Sequence, residues 1–206
     1  ARNAMAVLDV LDRLIEKGWN IPDDAVCAGF SKVRWPGRFE LVSTDPMIIV
    51  DGAHNPNGVE ALSESIRTCL AGKNITFVMG VMADKDYSEM LRILRDEAFT
   101  PLSADAISQA GTNPASPAQA PDSEQALPAI RRFITEMPPN SRSLDQDILR
   151  EEILRRFSCP VETFSTVQEA LLYAIDSVKK ENDPNAVILA FGSLYQISDI
   201  METLRS

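Results

Sequence analysis

Met47-Ile48-Ile49-Val50-Asp51 and Ala186-Val187-Ile188-Leu189-Ala190-Phe191-Gly192 are the two stretches on which the fold turns. Their strand residues are apolar at successive rather than alternate positions, so both faces of each strand need covering. That is the pattern of central strands in a parallel sheet. Working outward, strand-like runs over 39–43, 75–82, 132–135 and 161–164 alternate with helical runs over 59–70, 87–98, 144–157, 167–179 and 194–204. This alternation predicts an α/β fold, a Rossmann-like doubly wound, mostly parallel sheet flanked by helices. In such sheets ligands lie beyond the carboxyl ends of the strands, which directs attention to the residues that follow each one.

Two regions stand apart from this rhythm. Residues 1–17 place Ala4, Val7, Leu8, Leu11, Leu14 and Ile15 at helical spacing, which predicts an amphipathic helix ending near Gly18. It opens at the first residue without a cap, as a helix cut from a longer chain would. A second short helix is expected from Asp23 to about Gly29. The segment 100–128 holds five of the 13 prolines and few large apolar residues. It has too little apolar surface to offset its ordering entropy and reads as a mobile surface insertion, with room for a helix between 123 and 132.

The 206 residues are 45% hydrophobic and 24% charged, a composition that supports a globular core. Against 20 Lys and Arg stand 30 Asp and Glu, a net charge of −10 that repels phosphate backbones and anionic lipid. Nucleic acid and membrane surfaces are therefore not expected partners. Three scattered cysteines and one histidine provide neither a disulfide framework nor an all-protein zinc site, so no metal ligands are assigned. The opening ARNAMAVLDVLDRL shows no signal-peptide core, and the apolar runs are too short to span a bilayer. A cytoplasmic protein is expected.

Four strand ends offer chemistry. Pro36-Gly37 makes a tight turn from which Arg38 emerges, a planar permanent cation suited to phosphate or carboxylate, or else a surface arginine at a strand entry. Asp51 ends a buried strand, where its carboxylate needs a partner such as ribose hydroxyls. Gly52 and Ala53 then keep the backbone open to a ligand. His54 has a ring suited to stacking on or bonding a base, or to filling a gap. Asn55 orders the turn and Asn57 is the expected N-cap of the next helix. Asp84 and Asp86 read as helix-start residues. Arg142 lies beyond another strand as a solvated cation or ligand contact, and Ser193 either caps the last helix or helps face an anion.

No GxxxxGK[ST] loop, GxGxxG or nucleophile elbow occurs in these residues. Trp35-Pro36-Gly37-Arg38-Phe39-Glu40, then Asp51-Gly52-Ala53-His54-Asn55-Pro56, Gly80-Val81-Met82-Ala83-Asp84-Lys85-Asp86-Tyr87 and Gly192-Ser193-Leu194-Tyr195 together resemble folylpolyglutamate synthase/dihydrofolate synthase, of the Mur ligase superfamily. The resemblance implies that residues 35–206 form a Mur-ligase-type C-terminal domain with an insertion at about 99–130. Residues 1–34 would be the tail of the central ATPase domain plus linker. It implies ATP-dependent joining of L-glutamate to a folate or dihydropteroate carboxylate through an acyl phosphate, with the P-loop and the Mg²⁺ ligands on the upstream domain and this piece inactive alone. Carried over by position, Arg38 reaches the ATP phosphates, Asp51 the ribose and His54 the adenine side, with Asn55 supporting the loop. Arg142, in Pro139-Asn140-Ser141-Arg142, and Ser193 would meet the amino acid. Another Mur-type amino-acid ligase and a non-catalytic nucleotide-binding module are the alternatives.

Overall fold

The computed structural model describes residues 2–33, 35–100 and 126–205. The chain divides into two compact units, Ala1–Pro36 and Gly37–Ser206. In the first, helix α1 (Arg2–Glu16) ends at Gly18, whose φ of +91° is the left-handed geometry that closes a helix. There the Gly18 N–H donates to the Ile15 carbonyl at 2.9 Å. Helix α2 (Asp23–Lys32) carries Asp23 and Asp24 in its first turn, where the helix dipole favours negative charge. It runs through Gly29 instead of stopping there, since an interior glycine costs a helix only about 1 kcal/mol. None of its residues is buried.

The second unit holds one six-stranded sheet and five helices among the described residues. Its strands are β1 (Glu40–Thr44), β2 (Met47–Val50), β3 (Asn74–Met79), β4 (Ala129–Thr135), β5 (Val161–Thr163) and β6 (Ala186–Phe191). Its helices are α3 (Pro56–Cys69), α4 (Tyr87–Ala98), α5 (Gln146–Leu154), α6 (Val167–Glu181) and α7 (Tyr195–Thr203). The strand order is β1-β2-β6-β3-β4-β5, parallel throughout except for the antiparallel edge pair β1–β2. The two apolar stretches become neighbours, with Met47 opposite Val187 and Val50 opposite Ala190.

Alternation along the strands divides the core in two. Ile49, Phe77, Phe133 and Leu189 face α3, α4 and α5, whereas Ile48, Val50, Val78, Ile134 and Ile188 face α6 and Ile200 of α7. Phe77 is the hub of the first face, stacked on Phe133 at 4.8 Å and edge-on to Phe191 at 5.6 Å. The helix after β6 thus lies on the opposite face from those after β2 and β3. The crevice flanking β6 is therefore a topological switch point, where doubly wound sheets bind ligands.

Several boundaries depart from expectation. Strand β3 stops at Met79, and Met82 makes only an isolated bridge with Ser143. Helix α3 starts at Pro56, because Asn55 rather than Asn57 is the cap and Pro56 pre-sets the first helical φ. Strand β4 begins at Ala129, so no helix occupies 126–132. There the Ala129 N–H donates to the Lys73 carbonyl and sheet pairing overrides the local propensity. Most of the expected insertion, 101–125, lies outside the described residues.

Truncating Phe77 to Ala removes a fully buried ring against which three other rings pack. It should lower unfolding free energy by about 3–5 kcal/mol, read as a reduced urea midpoint.

Candidate functional site

The strand ends converge through their backbones. After β2, the Asp51 N–H extends the ladder to the Ala190 carbonyl at 2.8 Å, leaving the carboxyl buried at the sheet's carboxyl edge. Its Oδ2 accepts the Phe39 N–H and its Oδ1 the Ala53 N–H, each at 2.7 Å. Burial pushes the Asp51 carboxyl up from the usual range, and these two N–H groups, with the nearby Arg38 guanidinium, offset only part of that rise. The turn before β1 is held from both sides. The Gly37 N–H donates to Glu40 Oε2 at 2.7 Å and its carbonyl accepts the Gly52 N–H at 2.7 Å. Gly37 has φ +71° and Phe39 φ +44°, the latter strained for a residue with a side chain.

Arg38 is thereby brought beside Asp51. Its side chain is exposed and forms no hydrogen bond or ion pair among the described residues. His54 is half-buried, with Nδ1 2.7 Å from the Gly52 carbonyl. A carbonyl only accepts, so Nδ1 carries a hydrogen, and Nε2 is the ring nitrogen left outside that bond. The Asn55 Oδ1 accepts the Gly58 N–H at 2.8 Å, which fixes the entry to α3. Gly52 is not an opening for a ligand as expected. A Cβ there would collide with Leu194 and lie 3.2 Å from the Gly37 carbonyl, so the glycine serves loop-to-loop contact.

On the far side of β6, the Gly192 N–H donates to the Ala53 carbonyl at 2.9 Å. Ser193 is buried, and its Oγ accepts the Tyr195 N–H at 3.2 Å, in the first turn of α7. Arg142 hangs from the β3 end: the Ala83 N–H donates to its carbonyl at 2.8 Å, and its guanidinium lies 3.9 Å from Asp84. Asp86 caps α4 by accepting the Glu89 N–H at 3.0 Å. So Arg38, Asp51, His54 and Asn55 form one cluster flanking β2, linked through Gly192 to Ser193, while Arg142 sits on the neighbouring loop. A cavity of about 550 Å³ opens at the opposite, amino ends of β2, β3 and β6, lined by Thr44, Lys73 and Asp183, and shares no residue with this cluster. Among the described residues no three His, Cys, Asp or Glu side chains gather to hold a metal ion.

Two residues escaped the sequence reading. Glu136, directly after β4, and Gln196, in the first turn of α7, are both fully buried. Among the described residues, neither carboxyl oxygen of Glu136 and neither end of the Gln196 amide has a partner. Burial, with a smaller push from the Asp199 charge, raises the Glu136 carboxyl to about 8. A signal was present in each case: Glu136 ends a strand, and Gln196 sits four residues before buried Ile200 on the apolar side of its helix.

The family model described as Mur ligase, glutamate ligase domain matches residues 37–194. A dihydrofolate synthase/folylpolyglutamate synthase of Bacillus subtilis is 30% identical over 186 residues, 90% of this chain and 34% of that protein. Among solved structures, E. coli FolC in complex with DHPP and ADP is similar with a TM-score of 0.68 at 20% identity. That match covers 95% of this chain and 37% of the other. The bifunctional folylpolyglutamate synthase/dihydrofolate synthase of Yersinia pestis complexed with AMPPNP and Mn ion gives 0.65 at 19%, over 95% and 38%. Both structures bear out the α/β fold. The chain spans about a third of the length of these relatives.

Replacing Asp51 with Ala strands one buried and one part-buried N–H group. It should cost about 2–4 kcal/mol and expose the Phe39 and Ala53 amides to faster hydrogen exchange. For Glu136 the folded carboxyl keeps its proton from the unfolded value of 4.5 up to about 8. Its contribution is complete below pH 4.5 and is lost as pH rises through that window, by at most roughly 1.4 kcal/mol per unit. Urea titrations across pH 4–9 should show the Glu136→Gln variant gaining on the wild type over that range and then holding level.

Proposed function

The chain belongs to the Mur ligase family through its glutamate ligase domain, and from that premise we propose that it is the C-terminal part of an ATP-dependent ligase adding L-glutamate to a folate or dihydropteroate carboxylate. The observation that carries this reading is the Phe39–Asp51 hydrogen bond, which joins the Arg38 turn to the end of β2 at the switch-point crevice. The remainder of the protein would supply the phosphate loop. Residues 1–34 would be the tail of that central domain plus linker and 35–206 the C-terminal domain. This piece alone would be inactive, and the whole protein would work in the cytoplasm. Among the described residues no helix is long and apolar enough to cross a membrane.

The residues present fit a nucleotide. Arg38 offers a cation free of ion pairs for phosphate charge, and each Asp51 oxygen keeps a further lone pair for a ribose hydroxyl. His54 offers Nε2 on the base side, and Asn55 holds the loop through its cap. They do not fit a divalent metal, whose ligands are expected upstream; no step on this chain runs through it. The reaction would join a carboxylate oxygen of the acceptor to the γ-phosphorus as ADP leaves. The glutamate amine would then form the amide by attacking the acyl carbon, losing its proton as phosphate departs. Arg38 would offset charge during transfer. Arg142 would meet a carboxylate of the incoming amino acid, with Ser193 completing the pocket.

In the full-length protein, Arg38→Ala and Asp51→Ala should each lower kcat/KM for ATP at least tenfold, about 1.4 kcal/mol or more. Amide formation followed as phosphate release, with ATP, glutamate and either folates or dihydropteroate, checks this. Wild-type kinetics in both variants, or no ligation of glutamate by the intact protein, would refute the reading.

A further inference from the structure

Glu136 and Gln196 take no part in the chemistry proposed above, yet they are fully buried and unpartnered. An unpaired buried polar group costs about 1–3 kcal/mol, and folds carry such groups where function overrides stability. The Glu136 N–H donates to the Met79 carbonyl at 3.2 Å, so its backbone is tied to the end of β3. Thr135 turns its hydroxyl to the Gln146 carbonyl at the start of α5. By strand alternation Glu136 turns the other way, toward α7, and Asp199 of α7 is the charged group that acts on it.

The Glu136 carboxyl lies directly on Gly80, where any Cβ would collide with it. A Cβ at Gly192 would be 2.5 Å from the Gly80 carbonyl oxygen and 3.0 Å from Val81 Cγ1. The carboxyl thus meets Gly80, and Gly80 in turn meets Gly192, which has a φ of +115° that glycine alone adopts readily. Each glycine leads to a residue assigned to the amino acid. Ser193 follows Gly192. From Gly80 the chain runs to Val81, whose carbonyl accepts the Leu144 N–H at 2.8 Å, and to Ala83, whose N–H holds the Arg142 carbonyl. Arg142 and Ser193 hang from one contact.

We propose that Glu136 is a positioning residue of the crevice: its carboxyl is the seat on which the Gly80 and Gly192 backbones rest, and it thereby sets the separation of Ser193 from Arg142. The assignment of those two residues to the amino acid rests on the function proposed above, whereas the seat itself does not. A seat of this kind works as a neutral acid. Asp199 faces it and no cation among the described residues acts on it, so an ionised carboxyl would draw water inward and lift Gly80. A carboxamide of the same shape would keep the seat at every pH.

The test has two arms. In the ¹⁵N-labelled 206-residue chain titrated from pH 6 to 10, the amides of Gly80, Ala83, Gly192 and Ser193 should shift together with one midpoint near 8. In Glu136→Gln they should stay still. Amides that fail to move in the wild type, or move equally in the Gln variant, overturn the proposal whether or not the intact protein ligates glutamate. In the full-length protein, Glu136→Ala should raise KM for glutamate at least fivefold and leave KM for ATP within twofold, and Glu136→Gln should restore it. An unchanged KM in a folded Ala variant also overturns the proposal. So does a Gln variant as impaired as the Ala variant, which would mean direct substrate contact. If the Ala variant does not fold, the titration of the Gln variant decides. Absence of ligation in the wild type, with the amide shifts intact, would instead overturn the function and leave the seat standing.

Discussion

The Asp51 carboxylate, buried at the edge of the sheet and accepting two backbone N–H groups, is the interaction on which the rest of the site depends. Its Ala53 bond shapes the turn that leads to α3. Its Phe39 bond reaches twelve residues back and anchors the turn before β1. Phe39 sits at φ +44°, a geometry that costs on the order of 1–3 kcal/mol for a residue with a side chain. Two hydrogen bonds to a charged acceptor contribute about as much or more, so the strain is held. Burial raises the pKa of this carboxyl, and its backbone partners oppose part of that rise. Arg38 owes its place to the same anchor.

Legibility in the sequence followed physical distance. The covered strands at 47–51 and 186–191 were readable because a strand apolar on both faces has few alternatives, and they turned out to be paired neighbours. The order of the sheet was not readable. Nothing local in β6 says that it inserts between β2 and β3, since pairing between strands more than a hundred residues apart is a tertiary choice. The clustering of Arg38, Asp51, His54 and Asn55 was expected from the family resemblance of the motifs that carry them, not from their spacing alone. The reason for Gly52 was not, because the Leu194 side chain that fills its place comes from 142 residues onward. Asn55 was passed over as cap although Pro56 after it was the signal. Glu136 was overlooked for the more conspicuous Arg142 six residues later.

Inserting β6 between β2 and β3 also explains the close backbones at the crevice. Three strand ends meet where helices depart to opposite faces, and their backbones come close enough that only glycine fits at several of the contacts. Gly192 approaches Gly80 and bonds Ala53, while Gly37 bonds Gly52. Such packing is stiff because close backbone contacts leave little room to rearrange.

The bond between the His54 ring and the Gly52 carbonyl has a consequence for what this surface can recognise. With Nδ1–H committed, Nε2 is the ring nitrogen left to face the surroundings. One internal hydrogen bond thus fixes the orientation of the ring and decides which of its two nitrogens is turned outward.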